Sequence, residues 1–166
     1  MKTTKKQFKT VAVGGTFDEL HKGHKTLLKK AFQVGEHVLV GLSSDDFVVK
    51  MNKLHKTASY NERLEELTSF LEKTGYKNRF EISPLQDSYG LTLNKDKPID
   101  ALIVSQETVK ICKTINKKRA ETNLPPLNLI KIRLVPAYNK KPISTTRIRT
   151  NEIDKDGQHN IINPKK

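Results

Sequence analysis

The chain has 166 residues, 35% of them hydrophobic, and a chain of this length can bury a core without disulfides. Its single cysteine excludes an intramolecular disulfide framework and a paired-cysteine metal site. The formal net charge of +13 favours anionic partners, which include nucleotides, phosphorylated metabolites and nucleic acid. The lysines are spread along the whole chain, which is weak evidence for a nucleic-acid partner, and we expect none. The apolar runs have the length of strands, and no apolar segment follows the basic start, so we expect a cytoplasmic protein with no membrane partner.

Apolar β-branched runs alternate with amphipathic segments along the chain. The runs predict five strands, at 8–15, 37–45, 79–83, 100–106 and 129–135. The amphipathic segments predict four helices, at 24–34, 59–75, 107–123 and 144–153. Gly35 marks the end of the first helix, and Ser59 with Glu62 predicts a capping box at the start of the second. The stretch 85–98 predicts a loop that is long enough to be functional.

This alternation is typical of a parallel sheet that is covered by helices on both faces. We therefore predict an α/β protein: a single Rossmann-like domain with a mainly parallel five-stranded sheet. The domain spans 1–166, with a core at about 8–157 and ends that we expect to be frayed. Ligands of such folds bind at the carboxyl ends of the strands, which directs attention to the loop after the first strand.

The first loop carries two glycines and then two histidines, in the stretch GGTFDELHKGH at 14–24. It matches neither the dinucleotide fingerprint GxGxxG nor the P-loop. A helix N-terminus attracts phosphate, and imidazoles such as those of His21 and His24 donate hydrogen bonds and take up positive charge. Gly23 between them would let a ligand approach the backbone.

Three interpretations of this histidine pair are open on spacing alone: a phosphate grip, a buried structural pair and a zinc pair. No third histidine or cysteine clusters with the two, so we expect no metal site. Near the other end of the chain, Ser144, Thr145 and Thr146 stand at a predicted helix start, with Arg147 behind them. Hydroxyls at a helix N-terminus suit phosphate. Taken alone, this segment favours an ordinary cap followed by a basic helix, but together with the histidine loop it favours a second phosphate site.

The two segments together resemble a known superfamily. GGTFDELHKGH resembles the (T/H)xGH motif of the nucleotidyltransferases, and ISTTRIR at 143–149 resembles their second motif, ISxTxxR. Further stretches resemble the archaeal and eukaryotic type of phosphopantetheine adenylyltransferase: YNERLEEL, DSYGLT, VSQET, INKKRAETNLPPL and NEIDKDG. The resemblance covers about residues 8–157, which is nearly the whole chain.

The resemblance implies an activity. ATP and 4′-phosphopantetheine would give 3′-dephospho-coenzyme A and pyrophosphate, the penultimate step of coenzyme A synthesis, with Mg²⁺ arriving on ATP. The substrate's own phosphate is the nucleophile, so catalysis needs positioning and charge stabilisation and no enzyme nucleophile.

The resemblance also implies roles for individual residues. The catalytic residues would be Thr16, His21 and His24. The ATP site would comprise Gly14, Gly15, Thr16, Phe17, His21, Gly23, His24, Ser105, Glu107, Ser144, Thr145, Thr146 and Arg147. Phosphopantetheine would contact Thr16, Lys50, Lys53, Asp87 and Tyr89, and the sequence does not choose between the two lysines. Asp87 and Tyr89 would line the pantetheine arm or order their loop, and Asp18 would cap a turn or approach ATP.

The sequence differs from the bacterial members of the family in one loop, and two alternative functions stay open. Bacterial members carry an arginine-rich loop after the fourth strand and form hexamers, whereas VSQET at 104–108 has no arginine, so we expect a monomer. A cytidylyltransferase or an FMN adenylyltransferase would share both phosphate motifs, but the downstream stretches favour phosphopantetheine as the substrate. A non-catalytic nucleic-acid-binding module is the alternative from another class, and the scarcity of aromatic residues disfavours it.

Overall fold

A computed structural model describes residues 5–53, 55–106 and 108–160. Its five strands are β1 (Phe8–Gly15), β2 (Gly35–Ser43), β3 (Phe80–Leu85), β4 (Ala101–Ser105) and β5 (Asn128–Ile132). Its α-helices are α1 (Lys22–Val34), α2 (Asp45–Lys50), α3 (Tyr60–Lys73), α4 (Val109–Glu121) and α5 (Thr145–Arg149). A short 3₁₀ helix covers Gly90–Leu93.

The strands form one sheet in the order β3-β2-β1-β4-β5, and every pairing is parallel. Alternate residues of β1 face opposite sides of this sheet. Val11 and Val13 belong to a core shared with α1 and α3, whereas Ala12 belongs to a second core shared with α4. Helices therefore cover both faces, and the predicted fold class is confirmed.

Several predicted boundaries are wrong. The first helix begins at Lys22, because His21 supplies its cap, and it runs into β2 at Gly35 with extended backbone. The last helix ends at Arg149 instead of continuing to 153, since Asn151 adopts a positive φ of 58°. The capping box of Ser59 and Glu62 is confirmed.

Two elements were not predicted at all. The helix α2 has only six residues, and the 3₁₀ helix interrupts the long loop. Both are too short for a hydrophobic period to show in the sequence. None of the helices in the described part of the chain has the length and apolar character needed to cross a membrane.

Candidate active site

An open cleft of about 830 Å³ lies at the carboxyl end of the sheet, where the strand order reverses between β1 and β4. Ligands of parallel α/β sheets bind at this position. The cleft wall brings together most of the predicted site residues, namely Gly14, Gly15, Thr16, Phe17, His21, Gly23, His24, Lys50, Lys53, Asp87, Ser105, Ser144, Thr145 and Thr146. Tyr89 and Arg147 are not on this wall, and Glu107 lies outside the described residues.

The loop between β1 and α1 is conformationally strained. Phe17 and Glu19 adopt positive φ angles of 49° and 51°, which side-chain-bearing residues rarely do. Phe17 is fully buried, and the edge of its ring meets His24 at 5.3 Å between centroids. Strain of this kind persists only where surrounding contacts hold the loop, and it concentrates at functional sites.

His21 is the N-cap of α1. Its Nδ1 accepts hydrogen bonds from the backbone N–H groups of Gly23 at 3.1 Å and His24 at 3.4 Å. An accepting Nδ1 carries no proton, so the neutral ring is protonated on Nε2. Burial lowers the pKa of His21 to about 4, and the nearby ammonium of Lys155 adds to the decrease. His21 is therefore an uncharged N–H donor at neutral pH.

The sequence favours phosphate binding at the N-terminus of α1, but most of the backbone N–H groups there are bonded within the protein. Lys22 N–H donates to the carbonyl of Lys155 at 2.9 Å, and Lys25 N–H donates to the carbonyl of His21 at 3.0 Å. The two N–H groups between them are those capped by the His21 ring. The Lys25 bond is the first intrahelical one, so three of the four N–H groups that lack an intrahelical partner, those of Lys22, Gly23 and His24, are bonded within the protein. Side chains are therefore the main donors left for an anion at this end.

His24 lies on the ring of His21, with 3.7 Å between centroids and 20° between planes. Burial lowers the pKa of His24 well below its usual value, and the adjacent His21 and Lys53 lower it further. No hydrogen-bond partner of its buried Nδ1 is found among the described residues. Contacts among the described residues therefore fix the tautomer of His21 but not that of His24.

The structure separates the two lysines that the sequence left equivalent. Lys53 is half-buried, and its ammonium donates to the Thr16 hydroxyl at 2.8 Å. Burial lowers the pKa of Lys53, and the charge of Arg63 acts in the same direction against the opposing Asp18. Lys50 is exposed at the rim of the cleft. The fold therefore places a cation, the ammonium of Lys53, beside the hydroxyl of Thr16.

Arg63 is a site-organising residue that the sequence reasoning missed. Its side chain is almost completely buried and donates to the carbonyls of Thr16 at 2.9 Å, Ser43 at 2.8 Å and Ala58 at 2.8 Å. It also pairs with Asp45 at 2.8 Å. One guanidinium therefore ties together the ends of β1 and β2 and the loop before α3. Arg63 lies in the stretch YNERLEEL, where helical spacing alone does not distinguish it from an ordinary exposed arginine.

The start of α5 contacts the β1–α1 loop at the wall of the cleft. Ser144 caps the helix by accepting from Arg147 N–H at 3.4 Å, and the Thr145 hydroxyl donates to the carbonyl of Asp18 at 3.0 Å. The side chain of Arg147 turns away, donating to the carbonyl of Pro142 at 2.7 Å and pairing with Glu152 at 2.7 Å. Arg147, which the sequence predicts to bind phosphate, therefore contacts the turn at 139–142 in this structure.

Three other predicted residues occupy the far wall or its neighbourhood. Ser105 lies at the end of β4, where Thr108 bonds to its backbone N–H at 3.0 Å. Asp87 lines the cleft but accepts from the N–H groups of Tyr89 at 2.8 Å and Gly90 at 3.0 Å, so it orders its loop. Tyr89 lines a separate cavity of about 60 Å³ behind that loop, with Lys118 4.1 Å above its ring.

The model of the cytidylyltransferase-like family matches residues 12–151, a span that contains both phosphate motifs. A phosphopantetheine adenylyltransferase from Pyrococcus furiosus is 41% identical over 153 residues, which are 92% of this chain and 94% of the relative. The chain belongs to this adenylyltransferase family. Another member, the phosphopantetheine adenylyltransferase from Methanopyrus kandleri, is 39% identical over 89% of this chain and 92% of its own length.

The fold of the family also occurs among solved structures. A protein of unknown function from Archaeoglobus fulgidus superposes with a TM-score of 0.65 at 30% identity, covering 74% of this chain and 88% of that one. The family match and the relatives together show a nucleotidyltransferase, as the two motifs predicted.

Proposed function

We propose that this chain transfers the adenylyl group of ATP to 4′-phosphopantetheine, which gives 3′-dephospho-coenzyme A and pyrophosphate, the penultimate step of coenzyme A biosynthesis. Relatives of that name cover nine-tenths of the chain. The observation that carries the proposal is the meeting of Thr16, His24 and Lys53 at the switch point of the sheet. They supply a hydroxyl, a neutral imidazole and a cation where two phosphates must come together.

In the proposed reaction, a phosphate oxygen of phosphopantetheine attacks the α-phosphorus of ATP in line. A new P–O bond forms, the bond to the bridging oxygen breaks, and pyrophosphate leaves with its electron pair. No protein group needs to become covalently attached, so catalysis comes from alignment and from neutralising charge. His24 donates to the α-phosphate as charge develops, and Lys53 holds the incoming phosphate beside Thr16.

The remaining cleft residues divide between the two substrates. The Nε2–H of His21 and the hydroxyls of Ser144 and Thr146 are donors for the outer phosphates of ATP. Gly14, Gly15, Phe17, Gly23 and Thr145 shape that part of the wall. Ser105 lies on the nucleotide side, and the loop ordered by Asp87, with Lys50 at the rim, borders the path of the pantetheine arm. The ATP role of Glu107 and the pantetheine role of Tyr89 stay predictions, whereas the bonds of Arg147 to the Pro142 carbonyl and to Glu152 favour a structural role for that residue.

We take Mg²⁺ to enter as part of the ATP substrate. In the described ranges, no group of three histidine, cysteine or carboxylate side chains is arranged to hold a metal ion. The carboxylate that lines the cleft, Asp87, is occupied with backbone N–H groups. The phosphates themselves are therefore the ligands we propose for the ion.

We further propose that the whole chain is one nucleotidyltransferase domain that acts as a monomer in the cytoplasm, where ATP is available. Among the large exposed hydrophobic residues of the described part, Met51 and Ile111 line the substrate cleft, and Val49 and Tyr138 lie outside its wall in two separate segments. Scattered single residues of this kind need no partner surface to cover them. Sedimentation equilibrium at two protein concentrations tests the monomer.

The activity is tested by incubating the purified protein with Mg²⁺-ATP and 4′-phosphopantetheine, then measuring pyrophosphate and the mass of the product. Parallel reactions contain CTP in place of ATP, since the matching family model is described as cytidylyltransferase-like, or FMN in place of phosphopantetheine. Dephospho-coenzyme A formed with ATP, and lost in His24→Ala, supports the proposal. Product formed only with CTP or only with FMN would show that the chain uses a different substrate. The absence of product in every reaction would overturn the proposed activity.

A further inference from the structure

We propose that the buried ion pair of Asp18 and Arg149 is the positioning unit that aligns the two halves of the phosphate site. The inference rests on the proposed function for its meaning in catalysis, but the pair itself is a feature of the free chain. Asp18 is completely buried, so its carboxylate is closed off from the cleft in the unliganded chain. The sequence left Asp18 open between capping a turn and approaching ATP, and it gave no separate role to Arg149, the last residue of the ISTTRIR motif.

The contacts of Asp18 connect three separate segments around the cleft. Its Oδ1 accepts from Arg149 Nη2 at 2.8 Å and from the backbone N–H of Ala58 at 3.1 Å, while its Oδ2 accepts from Arg149 Nε at 3.2 Å. Its backbone carbonyl accepts from the Thr145 hydroxyl at 3.0 Å. One residue thus joins the loop that follows β1, the loop that carries Lys53, and α5.

The same residue sits at the centre of the strained loop. Phe17 and Glu19, its two neighbours, both have positive φ angles, and Phe17 places its ring against His24. Such a conformation is kept only if contacts outside the loop over-determine it. The bidentate bond to Arg149 and the bond from Ala58 N–H supply those contacts, so loss of the carboxylate would release Thr16 and the His24 ring from their relative placement.

Glu19 provides a matched comparison next to Asp18. Its carboxylate also pairs with Arg149, at 3.1 Å, but it is partly exposed and bonds to Lys155 as a second partner. His55 Nδ1 lies 4.0 Å from Asp18 Oδ2, and this imidazole borders the same cluster from the Lys53 loop. Removal of charge from Glu19 tests the electrostatic effect on Arg149 without disturbing the segments that Asp18 joins.

The first readout is the division of the effect between kcat and KM. Asp18→Asn is expected to lower kcat about 100-fold, because a shift of about 1 Å in reacting groups has that cost, while KM for ATP changes less than about threefold. Arg149→Lys keeps the charge but not the planar fork, and we expect a loss of about tenfold. Glu19→Gln should stay within about threefold of the wild type. An Asp18→Asn enzyme with kcat within threefold of wild type overturns the inference.

A double variant tests whether the two residues act as a unit. Asp18→Asn combined with Arg149→Gln should be no slower than the slower single variant, since residues that act together show strongly non-additive effects. Losses that multiply would show that the two side chains act independently, which contradicts the proposal. If Asp18→Asn fails to fold, Arg149→Lys, whose side chain is partly exposed, carries the test alone, and unchanged kcat in that variant overturns it.

A measurement on the free protein separates this inference from the proposed function. Imidazole ¹H–¹⁵N spectra report on the stacked rings of His21 and His24 without any substrate. We expect the His24 resonances to move in Asp18→Asn and to stay in place in Glu19→Gln. Unmoved resonances would overturn the positioning role, whereas an inactive wild-type protein with moved resonances would count against the proposed activity and leave the pair's role intact.

Discussion

The imidazole rings of His21 and His24 are stacked with 3.7 Å between their centroids, yet the two rings make different contacts in the protein. His21 uses Nδ1 to cap α1, and its proton is therefore on Nε2. His24 keeps a nitrogen for which no partner was found in the described part of the chain. Burial lowers the pKa of both, so that the pair is neutral and close packing costs no charge repulsion.

Removal of the His24 ring should abolish most of the turnover. We expect His24→Ala to reduce kcat by about 10²–10³, the scale for losing one preorganised donor to developing charge, while ATP still binds. The measurement is steady-state pyrophosphate release together with a binding titration of ATP. His159→Ala is the control, because that ring contacts Tyr138 and does not line the cleft. Near-normal turnover in His24→Ala would assign the pair to structure.

The two lysines of the α2 region should differ in effect. Lys53→Met removes the ammonium that bonds to Thr16, and we expect kcat/KM for phosphopantetheine to fall by about 10², as for one charged contact to a reacting phosphate. Lys50→Met removes an exposed charge at the rim, so a change of about tenfold or less is expected, mainly in KM. The reverse order of the two variants would show that substrate binding moves Lys50 into the site.

Acidification should destabilise the protein through His21. The folded-state pKa is lowered to about 4 from 6.5, so between these values the unfolded chain binds a proton that the folded chain does not. The free energy of unfolding should hold above pH 6.5 and fall as the pH drops towards 4, by at most about 1.4 kcal/mol per pH unit for this group. Urea unfolding at pH 7.5, 6 and 5 measures the decrease.

The variant His21→Asn isolates that contribution, since asparagine caps helices well and does not titrate. Its stability should decline less than that of the wild type over the same pH range. His159→Asn should keep the wild-type decline. If wild type and His21→Asn lose stability in parallel, the His21 ring is not the buried base that the structure indicates.

Arg147 should matter for stability more than for ATP. The sequence predicts weaker ATP binding in Arg147→Ala, but the guanidinium bonds to the carbonyl of Pro142 and to Glu152. Loss of these bonds should lower the free energy of unfolding by about 1–3 kcal/mol and leave the Kd for ATP within about threefold. Chemical unfolding and an ATP titration on one preparation distinguish the two expectations. A large loss of ATP affinity with unchanged stability would support the ATP-binding role of Arg147 instead.

Sequence alone determined the alternation of strands and helices, the parallel sheet and the two motifs at opposite ends of the chain. These follow from local periodicity and from residue types that are informative wherever they occur, such as the glycines and histidines at 14–24. It also placed Ser59 and Glu62 correctly, because a capping box spans only one helical turn.

Only the tertiary structure decided which side chains reach the cleft. Arg147 and Arg149 are two residues apart, yet one contacts the 139–142 turn and the other bonds to Asp18, 131 residues away in the chain. The burial of Arg63 and the choice of Lys53 over Lys50 depend in the same way on segments that the sheet brings together. Partners of this kind are fixed by strand order and packing, which a hydrophobic period does not encode.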